Sequence, residues 1–275
     1  MKKTILITGA STGIGRATAN LFVEKGWNVA ATMRTPEKAE GLIESESLLK
    51  LKMDVQDKES IKQSVKEAIQ AFGKIDVLLN NAGYGAMGPM EAASDEQIRR
   101  QFNVNVFGLI DVTKALLPHM RANKEGLILN VSSIGGRVTM PEFSLYHATK
   151  WAVEGLTESL QYELNPLGIK LKLIEPGGVD TDFAGRSLDA FDLEKWKEYK
   201  PVADKITQYF KAGQEGDRSI PSTAEQMAEG IFKATTDGTD QLRYLLGEDA
   251  LQIFEARKSL SDIEFKSMVN KRFNL

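Results

Sequence analysis

Ile5-Leu6-Ile7-Thr8-Gly9-Ala10-Ser11-Thr12-Gly13-Ile14-Gly15 carries a short apolar run directly into three glycines and then into a helical pattern. An apolar run bounded by glycine reads as a buried strand. Ile14, Ala17, Leu21 and Phe22 keep helical spacing until Gly26, a suitable residue to end the helix. Glycines between a strand and a helix let the backbone approach a phosphate, where the helix N-terminus offers free N–H groups. The spacing is Gly-x-x-x-Gly-x-Gly rather than the commoner Gly-x-Gly-x-x-Gly. A tight turn without a ligand is one competing reading. Another is a hydrolase nucleophile elbow at Gly9-x-Ser11-x-Gly13. That fold needs a histidine after its serine, and the chain offers only His119 and His147. His119 falls at the end of a helix, where a cation suits the dipole, and His147 is held beside Tyr146. The elbow would also follow the very first strand, with no upstream loop to build an oxyanion hole.

Outward from this turn, strands and helices alternate. Strands are expected at 27–33, 48–53, 75–79, 127–132, 169–174 and 241–246. Helices are expected at 57–72, 94–117, 144–165 and 222–236, with a charged helix opening at Pro36. Such alternation predicts one doubly wound α/β domain over 1–275, a seven-stranded parallel sheet with helices on both faces. Two segments stand outside it, an aromatic-rich insertion at about 183–215 and a helical tail after Gly247.

The 275 residues are 42% hydrophobic and 27% charged, enough apolar material for a sizeable core. A net charge of −3 gives no general attraction to nucleic acid or anionic membrane. Zero cysteines rule out disulfides and thiolate metal sites and suit a reducing cytosol. The apolar run after Lys2-Lys3 is too short for a signal peptide. No stretch reaches the ~18 apolar residues of a membrane span. The expectation is a soluble cytoplasmic protein. With two separated histidines and no clustered carboxylates, no metal site is expected.

In Tyr146-His147-Ala148-Thr149-Lys150, tyrosine and lysine lie four apart on one helix face. A free phenol, with a pKa of roughly 10, is a poor proton carrier at neutral pH, and a fixed cation nearby favours its ionised form. Such a tyrosine can give a proton to a carbonyl oxygen or take one from an alcohol. Alone, the pair also reads as an exposed helix pair.

Taken together, the motifs resemble the short-chain dehydrogenase/reductase family over about residues 4–182. They are Thr8-Gly9-x-x-x-Gly13-x-Gly15, Asp54-Val55, Asn80-Asn81-Ala82-Gly83, Asn103-Val104-Asn105-Val106-Phe107-Gly108, Ser132-Ser133, Tyr146-x-x-x-Lys150 and Pro176-Gly177-Gly178-Val179-Asp180-Thr181. Within the family the chain is similar to the branch of 17β-hydroxysteroid and retinol dehydrogenases. The resemblance implies an NAD(P)-dependent alcohol–carbonyl oxidoreductase. It implies Tyr146 as general acid/base and Lys150 lowering its pKa and holding the nicotinamide ribose. Ser133 would polarise the substrate oxygen, and Asn105 would hold a relay water; Ser132 is left to satisfy local backbone groups and Asn80 to brace its strand. The turn from Gly9 through Ser11, Thr12, Gly13 and Ile14 to Gly15 would cradle the pyrophosphate. Asp54 and Val55 would meet the adenine, and Asn81, Ala82 and Gly83 the adenosine ribose. Val179 and Thr181 would contact the carboxamide and phosphate.

Cofactor choice falls to the end of the second strand, which faces the adenosine 2′ position in this fold. Arg34 stands there in place of an acid, so NADP(H) is expected to be preferred, with NAD(H) possible. Phe183, Phe191, Trp196, Tyr199, Tyr209 and Phe210 predict a lid over an apolar carbonyl or alcohol, with Met87, Met140 and Phe143 adding walls. Pinning the insertion to the core is their alternative role. Family members pair through two long helices, here 94–117 and 144–165, so a homo-oligomer, dimer or tetramer, is expected, and the tail could alter one interface. A cofactor-binding sensor that has lost the chemistry is the rival function.

Overall fold

The computed structural model describes residues 2–180, 187–214 and 222–275. Thr181 and Phe183 lie outside the described residues. Seven parallel strands form the central sheet: β1 (Thr4–Thr8), β2 (Asn28–Met33), β3 (Leu48–Lys52), β4 (Val77–Asn80), then Gly126–Val131, Ile169–Pro176 and Arg243–Leu246. A short strand, β5 (Gly85–Met87), intervenes after β4, so those three are β6, β7 and β11; β8 (Val179–Asp180), β9 (Leu188–Ala190) and β10 (Ser222–Thr223) complete the series. The sheet order is β11-β7-β6-β4-β1-β2-β3. All seven expected strands are present.

Alternation of side chains along β1 decides the layers. Ile5 and Ile7 enter one core with Val29, Ala31, Leu79 and Phe22, while Leu6 enters the other with Ala30, Leu78, Ile128 and Leu116. The first core is covered by α1 (Gly13–Glu24), whose Phe22 stacks edge-on against Phe232 of a late helix. The second is covered by α2 (Lys58–Phe72), which Asp57 caps by accepting from the N–H groups of Glu59 and Ser60. The order reverses between β1 and β4, and ligands of such sheets bind at that crevice, at the carboxyl ends of the strands.

Two expectations fail here. The charged helix at Pro36 is only a 3-10 turn, Pro36–Lys38, whose residues include none that is buried. The helix expected over 94–117 is three pieces: α3 (Asp95–Phe102), a π-helical segment at Asn103–Gly108, and α4 (Leu109–Asn123). The rest follows as α5 (Ser144–Leu164), α6 (Lys200–Gln214), α7 (Ala224–Thr236), α8 (Glu248–Ser259) and α9 (Asp262–Phe273).

The tail is structural. Ala250 and Ile253 of α8 and Phe265 of α9 pack against Ile134 and Val138, immediately after Ser133. Phe273 of α9 meets Tyr209 of α6 at 4.3 Å between ring centroids, and Arg272 donates to the Tyr209 hydroxyl at 2.6 Å.

Candidate active site

The glycine turn is held open by its neighbours. Gly9 and Gly13 have φ of 67° and 52°, in the left-handed region that glycine adopts freely. A Cβ on Gly15 would lie 2.3 Å from the Gly9 carbonyl oxygen. Thr12 begins α1 without a side-chain cap, and no acid occupies its first turn. The free N–H groups and positive end of the helix therefore face the turn, an arrangement that fits a pyrophosphate. Ser11 and Ile14 are partly buried there and Thr12 is exposed.

Across the crevice, the Thr8 hydroxyl accepts from the N–H groups of Asn81 and Ala82, both at 3.0 Å. The Asn81 amide donates back to the carbonyls of Thr8 and Gly9 at 2.9 and 3.1 Å. Its side chain is thus spent on the turn, so a ribose role for Asn81 falls to backbone. Ala82 lies beside Gly9 and Gly83 is exposed. Asn80 braces the sheet as expected, donating to Thr113 and Asn130 at 3.0 and 2.9 Å.

Asp54 and Val55 follow β3. One Asp54 oxygen accepts from the Gln56 N–H at 3.0 Å. Val55 sits against Gly108, where a Cβ would come within 2.9 Å of it. Arg34, exposed just past β2, forms no ion pair among the described residues. Val179 pairs with Ser222 in a two-stranded sheet. Gly178 before it donates its N–H to Asp249 of α8 at 2.7 Å.

The four candidate catalytic residues converge at the ends of β6 and α5. Ser133 and Tyr146 share a side-chain hydrogen bond. The Ser133 hydroxyl also accepts from the Gly135 N–H at 3.0 Å, which fixes its direction. Lys150, only 7% exposed, donates to the Val131 carbonyl at 2.9 Å. Its Nζ stands 5.7 Å from the Tyr146 ring centroid. Asn105, 3% exposed in the π segment, donates to the Tyr84 carbonyl at 2.9 Å and to Thr149 at 3.1 Å, and accepts from the Tyr84 N–H.

The electrostatics correct three expectations. Burial pushes the Tyr146 phenol above its ordinary value, and the Ser133 hydrogen bond draws it only part of the way back. Lowering by Lys150 is not among the causes, and burial brings that lysine itself down to about 8 against the pull of Glu154. Ser132 is buried with no hydrogen-bond partner among the described residues, so it satisfies no backbone group. His119 is no cation at a helix end: its Nε2 accepts from the Ile75 N–H at 3.1 Å, and burial and then Lys74 lower its pKa.

Sequence reasoning missed Thr8, Tyr84, Thr149 and Asp249 as supports. Thr8 stands in the glycine-turn motif, and Asp249 left a trace as an acid in the first turn of a helix after Gly247. Among the described residues, no group of three or more histidine and carboxylate side chains could hold a metal ion.

Comparison with known proteins agrees with this geometry. A family profile described as short chain dehydrogenase matches residues 3–191. Over 179 residues the chain is 42% identical to 3-ketodihydrosphingosine reductase of Bacteroides thetaiotaomicron, covering 65% of each chain. It is 33% identical over 252 residues to retinol dehydrogenase 8 of Bos taurus, covering 88% of this chain and 80% of that one. A short-chain dehydrogenase from Streptomyces avermitilis superposes with a TM-score of 0.83 at 30% identity, covering 100% of this chain and 97% of that one.

Proposed function

The chain belongs to the short chain dehydrogenase family and is an NAD(P)-dependent oxidoreductase, and from that premise we propose that it interconverts a carbonyl and an alcohol on an apolar substrate, preferring NADP(H). The observation that carries this reading is the hydrogen-bonded Ser133–Tyr146 pair, with a buried Lys150 one turn further along α5. When bound, the dinucleotide supplies or accepts the hydride. Tyr146 holds the proton that the substrate oxygen gains or loses. Ser133 orients and polarises that oxygen. Lys150 keeps positive charge beside the phenol, and Asn105, pinned at its amide by Tyr84 and Thr149, positions a relay water.

The apolar substrate is supported by Phe210 of α6, whose ring lies 5.9 Å from Phe143, itself 6.2 Å from the Tyr146 ring. Phe191 supports the pinning role instead, since it is buried with Ala86 and Leu145. The names of the two relatives, a reductase of a ketone and a dehydrogenase of retinol, agree in class. No helix among the described residues is long and apolar enough to cross a membrane. Phe107 and, on α5, Trp151 and Tyr162 are exposed at 54%, 51% and 75%. They support pairing of two copies through the long helices.

The test is Tyr146→Phe, assayed with NADPH and a panel of apolar ketones. Turnover should fall on the order of 10²–10⁴-fold while dinucleotide affinity stays nearly unchanged. A mutant as fast as wild type would refute the mechanism. A wild type that binds NADPH yet reduces nothing in the panel would favour the sensor.

A further inference from the structure

Glu142, four residues before Tyr146, has a left-handed backbone with φ of 66°. A glutamate pays for that conformation, and such outliers persist where surrounding structure holds them. Here the Gly88 N–H donates to the Glu142 carbonyl at 2.8 Å, fixing the loop. The side chain is also costly. Its Oε1 is buried with no hydrogen-bond partner among the described residues, an arrangement that proteins avoid. Burial raises the pKa of the carboxyl accordingly.

This carboxyl lines a cavity of about 460 Å³ at the N-terminal end of α5. Pro89, Met90, Pro141 and Val202 supply apolar walls, and Glu91 is its second acid. Tyr199 occupies Glu91 by donating to its Oε2 at 2.7 Å. Among the described residues, no lysine or arginine lines the cavity. A largely apolar hollow lined by a carboxyl that has no hydrogen-bond or ion-pair partner among the described residues suits a donor.

We propose that Glu142 is a specificity-determining residue whose carboxyl receives an N–H or O–H donor carried by an otherwise apolar substrate, an ammonium group above all. Calling the ligand a substrate rests on the oxidoreductase reading; the binding site itself does not. The two acids favour a cation, whereas a hydroxyl would need only the acceptor oxygen.

The probes are octylamine, octanol and octyl methyl ether, which differ only in the donor. Their affinities are measured by calorimetry on the NADP-loaded enzyme, in wild type, Glu142→Gln and Glu142→Gly. Glycine suits the left-handed backbone, so the second variant removes the side chain without straining the loop. Wild type should bind the amine roughly tenfold or more tighter than the ether. Glu142→Gln, which keeps an acceptor but not the charge, should lose the amine preference and keep any preference for the alcohol. Glu142→Gly should lose both while binding the ether within about threefold of wild type. Equal binding of the three probes by wild type, or binding of none, would overturn the proposal. So would an equal loss of all three in Glu142→Gly, the mark of a purely structural residue. Turnover of an aliphatic ketone beside its amino ketone analogue gives a separate readout. Absence of any turnover refutes the oxidoreductase reading, while the binding series still decides the role of Glu142.

Discussion

In the proposed mechanism Lys150 meets two opposed demands, since it carries charge beside the phenol yet is buried on a helix against the sheet. With its pKa brought down to about 8, the folded protein loses this proton as pH rises through about 8, whereas an unfolded lysine keeps it to about 10.5. The contribution of its charge to holding an anionic dinucleotide should fade in the same window. Dinucleotide affinity measured between about pH 7 and 9 should fall in wild type beyond any fall in Lys150→Met. Parallel slopes in the two proteins would remove the lysine from the site. Arg34 is the second residue whose charge should be measurable. A charge-assisted bond of ~1.5–3 kcal/mol corresponds to roughly 10- to 150-fold preference for the phosphorylated cofactor. The ratio of kcat/KM for NADPH over NADH should collapse toward one in Arg34→Ala, and a ratio that does not move would sink the assignment.

Among the elements, the break between α3 and α4 shows what a periodic pattern conceals. Apolar spacing runs on through 94–117, so the sequence reads as one helix, and a π segment disturbs that spacing too little to be noticed. Its physical cause lies elsewhere in the chain: Asn105 must face inward to Tyr84 and Thr149, and Gly108 must let Val55 approach. π segments often mark functional sites, and this one carries the buried asparagine. Gly108→Ala should force Val55 aside, lowering stability by about 1–3 kcal/mol and weakening dinucleotide binding together. Thermal unfolding and a titration would check both; a loss of stability with binding intact would detach Val55 from the adenine. The glycine turn, by contrast, was fully legible, because local chemistry alone dictates it. Its braces were not, since Thr8 and Asn81 are more than 70 residues apart in sequence. The raised pKa of Tyr146 is hidden in the sequence for a related reason. Spacing on a helix shows that a lysine is near, but not that the phenol is buried.

At the scale of the molecule, a charge cluster includes Arg137, four residues after Ser133. Glu175 of β7 is buried beside Glu154 of α5, with Arg137 at 3.0 Å and Arg243 at 3.4 Å. Burial and then Glu154 push the Glu175 carboxyl up to about 7, against the two arginines. A carboxyl raised on folding binds more protons folded than unfolded between about 4.5 and 7. Stability should therefore decline as pH rises across that interval. Glu175→Gln removes the titration. Denaturant unfolding at about pH 5 and pH 8 should show a decline on the order of 1–3 kcal/mol in wild type that the variant lacks. An equal decline in both would place the titration elsewhere.

The packing of α8 and α9 also sets a schedule for how the protein is made. Ile253 and Phe265 back the loop that carries Ser133, Asp249 holds the turn before Val179, and Phe273 steadies the helix bearing Phe210. Every one of these supports comes from the last 28 residues, whereas the glycine turn emerges among the first fifteen. On the ribosome the glycine turn can form before the supports of the serine loop have been made. A chain cut after Gly247 would keep all seven strands of the central sheet, yet its serine loop would lack a floor. The floor of the serine loop is thus made after the sheet on which it rests.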